Sequence, residues 1–120
     1  MADTTYLAIF LGSKTSARWK EWEALSDAER RVRERDGIQA WIAWVEQNRS
    51  VITVDNSPLG KTKRVSANGI QDVTNDMGAF VVVSAPSHEA AARLFENHPH
   101  FTIFPGESVE IMPVLPVPTR

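Results

Sequence analysis

The residues best suited to chemistry in this chain are two of its three histidines, His98 and His100, separated by Pro99. Imidazole is the side chain that exchanges protons near neutrality, so the pair reads first as an acid/base centre. Ala91, Leu94, Phe95 and His98 fall at i, i+3, i+4 and i+7, which turns the His98 ring toward the apolar side of a helix. The bland alternative is that His98 caps the C-terminus of that helix and His100 is a loop residue. A metal is a poorer reading, because the segment offers two donors and a catalytic zinc normally takes three.

Carboxylates that could work with these rings are few. Asp76, in the turn Asn75-Asp76-Met77-Gly78, and Asp72 lie where a sheet edge is expected. An aspartate beside glycine also serves simply to bond the backbone of a turn. Arg64 could hold an anionic substrate, or be a solvated charge on an edge strand. Glu110 stands between Val109 and Ile111 on the last strand and either faces outward or is a buried acid with a raised pKa. Trp19, Trp22, Trp41 and Trp44 crowd one helical region; Trp41 and Trp44 are candidates for lining a pocket for a flat apolar ligand, although such stripes also build cores. Glycine-rich phosphate loops, the G-x-S-x-G elbow and dinucleotide fingerprints do not occur, and no cofactor is expected.

The composition narrows the setting. A chain of 120 residues is one domain's worth, read here as a single domain over residues 1–120. A formal charge of -2 speaks against a nucleic-acid partner. With no cysteine, thiolate metal sites, cysteine nucleophiles and disulfides are excluded, and a reducing, cytoplasmic location is expected. The apolar run Tyr6 to Leu11 is too short for a signal or a membrane span, so no membrane role is expected.

The elements follow from periodicity and caps. Tyr6 to Leu11 and Ala79 to Ala85 read as strands covered on both faces. Ser26 with Glu29 forms a capping box that starts a helix. Asp36-Gly37 breaks that helix or sits within it at about 1 kcal/mol. Beyond it Ile38, Trp41, Ile42 and Val45 make the clearest amphipathic stripe. Val51 to Val54 is a short strand and Asp55 to Pro58 a turn cluster. Lys61 to Ala67 reads as an edge strand turning at Asn68-Gly69 onto Ile70 to Thr74. Ser87 caps a helix that Pro99 is expected to stop, and Val109 to Leu115 is the last strand. Two β-α-β units of this kind predict an α+β, ferredoxin-like antiparallel sheet with helices on one face.

Helices can cover only one face of such a sheet. Tyr6, Ala8 and Phe10 point one way while Leu7, Ile9 and Leu11 point the other, and Phe80 to Val83 are apolar on both sides. The second face needs a cover, and the simplest is the same face of a second copy, burying on the order of 800 Å² per partner.

In four stretches the chain resembles the YCII-related family: YLAIFLG; AWIAWVEQN followed by SPLGKT; NDMGAFVVVSAPS with HEAAARLF; and HPHFTIFPGESVEIMP. The resemblance implies a dimeric α+β barrel whose ligand lies between sheet and helices, in company with lactone isomerases and small monooxygenases. It also implies a histidine in the first long helix and an aspartate in a DGPF-like turn, proposed in that family as an acid/base pair. No histidine occurs around Ile38 to Trp41, and only Asp76 could stand for the acid.

The expectation is therefore a homodimeric domain that binds or converts a small, partly apolar organic molecule by cofactor-independent proton transfer, as an isomerase or lyase. His98, His100 and Asp76 would carry the protons; Arg64, Trp41 and Trp44 would bind substrate. The alternatives are a non-catalytic accessory or regulatory module meeting a protein through its dimer surface or the Asp55 to Lys63 loop, and a monooxygenase that needs no cofactor.

Overall fold

The computed structural model describes residues 3–118. Aromatic and branched residues fill its first strand, β1 (Thr4–Leu11), which leads to α1 (Ala17–Ala24) and α2 (Asp27–Gln47). Then come β2 (Ile52–Pro58), β3 (Thr62–Ser66), β4 (Gly69–Val73), β5 (Met77–Ala85), α3 (His88–Arg93), α4 (Pro99–Thr102) and β6 (Ser108–Pro113). The main sheet has the order β2-β5-β1-β6, all neighbours antiparallel, while β3 and β4 pair only with each other. This is the expected ferredoxin-like arrangement, with β1 and β5 in the centre.

Alternation sorts the two central strands as the sequence requires. Tyr6, Ala8, Phe10, Val81, Val83 and Ala85 are buried under the helices with Trp44, Ala91 and Phe95. Leu7, Ile9, Leu11, Phe80 and Val82 lie on the other face, half-buried, and in register with them Val54 and Met112 are exposed. None of the described helices covers that face. Glu110 pairs with Ile9 there and is exposed, so it lies across the sheet from the helices and not in a pocket beneath them.

Capping sets the helix starts. The Ser26 hydroxyl accepts the Glu29 N–H while the Glu29 carboxylate accepts the Ser26 N–H. Ser16 and Ser87 cap α1 and α3 through the N–H groups of Trp19 and Ala90. Gly37 lies inside an unbroken α2 because Phe104 needs the space: a Cβ there would stand 2.5 Å from two of its ring atoms.

Four expectations need correcting. The roll of α2 differs from the apolar stripe: Gly37 and Trp44 are buried, whereas Ile38 and Ile42 are 55% and 57% exposed. Asp55 to Pro58 is strand, accommodated by register shifts after Ile52 and Val54, because pairing with Phe80 and Ala79 outweighs local turn preference. The β3–β4 hairpin turns one residue earlier than expected, through Ala67-Asn68 with Ser66 paired to Gly69 at φ 101°, and it forms a separate ribbon and not a sheet edge. Pro99 does not stop a helix; α3 ends at Arg93, and Pro99 opens α4, where a missing N–H costs nothing.

Candidate functional site

His98 and His100 share a motif and differ in position. His98 caps the N-terminus of α4, its Nδ1 accepting the His100 backbone N–H at 3.0 Å. The proton of the neutral ring therefore sits on Nε2, which is buried and has no hydrogen-bond partner among the described residues. Aromatic rings enclose it instead. Trp41 stands edge-on at 4.5 Å between centroids, Trp44 lies at 4.9 Å and Phe10 at 5.0 Å. Burial pushes the His98 pKa down to about 3, with a contribution from His100, so the ring is neutral.

His100 is half-buried and reaches a cavity. Its Nε2 lies 2.8 Å from the Leu11 carbonyl, which can only accept, so Nε2 carries the proton and Nδ1 is the ring's basic atom when neutral. Burial lowers its pKa; the Leu11 and Ser108 carbonyls partly oppose this, and the Arg18 charge adds to it. Gly106 makes the position possible, since a Cβ there would fall 2.2–2.5 Å from the imidazole atoms.

The cavity beside it measures about 260 Å³ and opens at the end of the sheet where β1 stops and β5 and β6 begin. Phe10, Trp19, Phe104 and His100 supply ring walls, Gly12, Gly78 and Gly106 backbone walls, and Ser13 and Lys14 the polar rim. The Lys14 ammonium lies 5.7 Å from the Trp19 centroid and pairs with no carboxylate among the described residues. Arg18 fastens α1 to α4 and the segment after it through the carbonyls of Phe101 and Phe104, which holds the Phe104 wall. The result is a small hollow lined largely by apolar surface, with a basic imidazole in its wall and a cation among its lining residues.

The expected site residues divide accordingly. His98, His100, Trp41 and Trp44 come together in one aromatic cluster. Trp44 is a structural part of it, donating its Nε1–H to the Leu94 carbonyl at 2.7 Å. Trp41 contacts both histidines and Phe104, and its outer side lines a second, shallow cleft. Asp76 reaches the rim through its carbonyl, which accepts the Gly12 N–H at 2.9 Å, while its carboxylate bonds to neither histidine. Arg64 lies exposed on the β3–β4 ribbon and does not line the cavity.

Ser13, Lys14, Phe104 and Gly106 escaped the sequence reading. Two punctuation marks pointed to them, the Gly12-Ser13 end of the first strand and Pro105-Gly106 before the last. Among the described residues no group of three histidine, aspartate or glutamate side chains is placed to hold a metal ion. No helix there is long and apolar enough to cross a membrane.

No family model matches the chain, and no curated protein matches it. Among solved structures it is similar to 5-chloro-2-hydroxyhydroquinone dehydrochlorinase from Burkholderia phenoliruptrix AC1100, in complex with 2,5-dihydroxybenzoquinone. The two share 16% identity over 90% of each chain, with a TM-score of 0.52. A likeness at that identity shows the fold, an α+β barrel-type arrangement.

Proposed function

We propose that this protein binds a small, single-ring, anionic organic molecule in the His100 cavity and moves a proton on it without a cofactor, as an isomerase or lyase does. One observation carries the reading: a half-buried histidine, its proton held on Nε2 by Leu11, sits in the wall of a ring-sized cavity lined also by Lys14, which pairs with no carboxylate among the described residues. In the reaction Nδ1 takes a proton from a C–H or O–H of the ligand. Lys14 balances the charge left on it, and the imidazolium returns the proton to another atom or to a leaving group. His98 serves by holding the His100 backbone N–H, and Asp76 by shaping the rim. The six-membered ring bound by the dehydrochlorinase of like fold supports this ligand class.

We infer further that the chain is a divergent, single-domain relation of the YCII-related family, cytoplasmic by its cysteine-free composition. Two copies would pair through the face carrying Leu7, Ile9, Phe80 and Val82, which supplies a cover for apolar surface that the helices leave open.

The test uses 2,5-dihydroxybenzoquinone in D₂O. The protein should accelerate exchange of its ring C–H protons, and His100→Gln should slow that exchange at least tenfold with the fold intact by circular dichroism. Exchange at the uncatalysed rate, or full activity in His100→Gln, would remove the catalytic reading.

A non-catalytic module remains the second reading, favoured by the β3–β4 ribbon. Its cross-strand pair Val65 and Ile70 is 75% and 70% exposed, an apolar tip suited to a protein contact. An association lost in Ile70→Glu, with no ring exchange in wild type, would support it.

A further inference from the structure

Next to the His100 cavity, on the outer side of α2, is a second hollow of about 420 Å³. Its walls are four apolar side chains, Ile38, Trp41, Ile42 and Phe104. Single exposed aliphatic residues are ordinary, but here two that are more than half exposed converge with two aromatic rings into a concave patch. Phe104 lines both hollows, and no other described residue does. Its ring is the wall they share. Gly37 fixes that wall, because only a residue without Cβ lets the ring lie so close to α2.

We propose that the two hollows form one binding site and that the ligand is a ring acid carrying an apolar tail. The acidic ring occupies the cavity of His100 and Lys14, and an alkyl or aryl substituent lies in the Ile38–Ile42 cleft, with Phe104 at the junction. This deepens the ligand class proposed above and rests on it. The occupant follows from three observations. The cleft adjoins the ring cavity through one shared side chain. It has no polar group in its walls, so a polar substituent would lose its water there without replacement. It also lies on the helix-bearing side of the sheet, where Trp41 meets Phe10, whereas Leu7, Ile9 and Val82 look the opposite way. A sheet-stacked second copy leaves it uncovered.

Benzoate and 4-hexylbenzoate, titrated calorimetrically into the full chain, separate the possibilities. Wild type should bind 4-hexylbenzoate at least tenfold more tightly than benzoate. Ile42→Ser, a change at an exposed position, should cut that ratio below threefold, and His100→Gln should weaken both ligands. A ratio near one in wild type, or one that survives Ile42→Ser, overturns the tail site while leaving the ring site standing. Failure of both ligands to bind wild type overturns the ring reading and the tail site with it. Binding of 4-hexylbenzoate that ignores His100→Gln would make the cleft a separate site and overturn their union. A sedimentation mass that changes in Ile42→Ser would assign the cleft to a second copy and overturn the proposal likewise.

Discussion

His98 and His100 stand two residues apart and do opposite things. One is sealed among Phe10, Trp41 and Trp44 with its Nδ1 spent on a backbone N–H; the other forms part of a cavity wall and keeps a basic nitrogen. The difference originates in Pro99, which begins a new helical turn at α4 and so separates the directions of the two rings. Burial of a histidine is thus no guide to catalysis. What matters is whether its basic nitrogen is already engaged.

Removing each ring should break the comparison in different ways. His98→Ala deletes a buried ring and a cap together and should cost about 3 kcal/mol of unfolding free energy, read by urea denaturation. His100→Ala should cost less stability and more ligand binding. If the two variants were equally destabilised and equally inert toward ligand, the distinction would collapse.

Acid should find the same asymmetry. The His98 pKa is near 3 folded and about 6.5 unfolded, so between those values the unfolded chain binds the extra proton. Its contribution to stability is complete above pH 6.5 and is lost as the pH falls toward 3, by up to about 5 kcal/mol at about 1.4 kcal/mol per pH unit. His98→Asn, which keeps an acceptor for the His100 N–H, should flatten that dependence in denaturation curves taken between pH 4 and 7. An unchanged slope would locate the acid sensitivity elsewhere.

Smaller effects sharpen the boundary between scaffold and site. Gly37→Ala must move Phe104 and should cost about 1–2 kcal/mol, net of the better helix propensity of alanine. Because Phe104 walls the His100 cavity, benzoate should also bind at least fivefold more weakly by calorimetry. Trp44→Phe loses the bond to the Leu94 carbonyl and part of the ring's packing, about 1–2 kcal/mol, and should leave benzoate affinity within twofold. A large loss of binding there would extend the site into the sealed cluster.

Much of the scaffold was legible because it rests on local rules. Two-faced apolar strands centred the sheet, Ser26 with Glu29 and Ser87 began their helices, and Asn68-Gly69 marked the hairpin turn to within one residue. Directions were harder to read. The Ile38, Trp41, Ile42 and Val45 stripe identifies an apolar side of α2, but the helix rolls so that Gly37 can receive Phe104, and that contact spans 67 positions. Asp55 to Pro58 carries turn residues that strand pairing overrides. The cavity itself gathers Phe10, Lys14, Trp19, His100 and Gly106 from two distant stretches, residues 10–19 and 100–106, so no local spacing in the sequence could bring Lys14 to His100.

Histidine ring resonances followed by NMR across pH, with and without benzoate, test the central claim most directly. The account predicts that benzoate shifts the His100 ring signals and raises its pKa, as a nearby anion should, while the His98 ring stays neutral and unmoved above pH 5. A His98 ring that titrates near 6.5 and follows the ligand, with His100 indifferent to it, would contradict the assignment of scaffold and site.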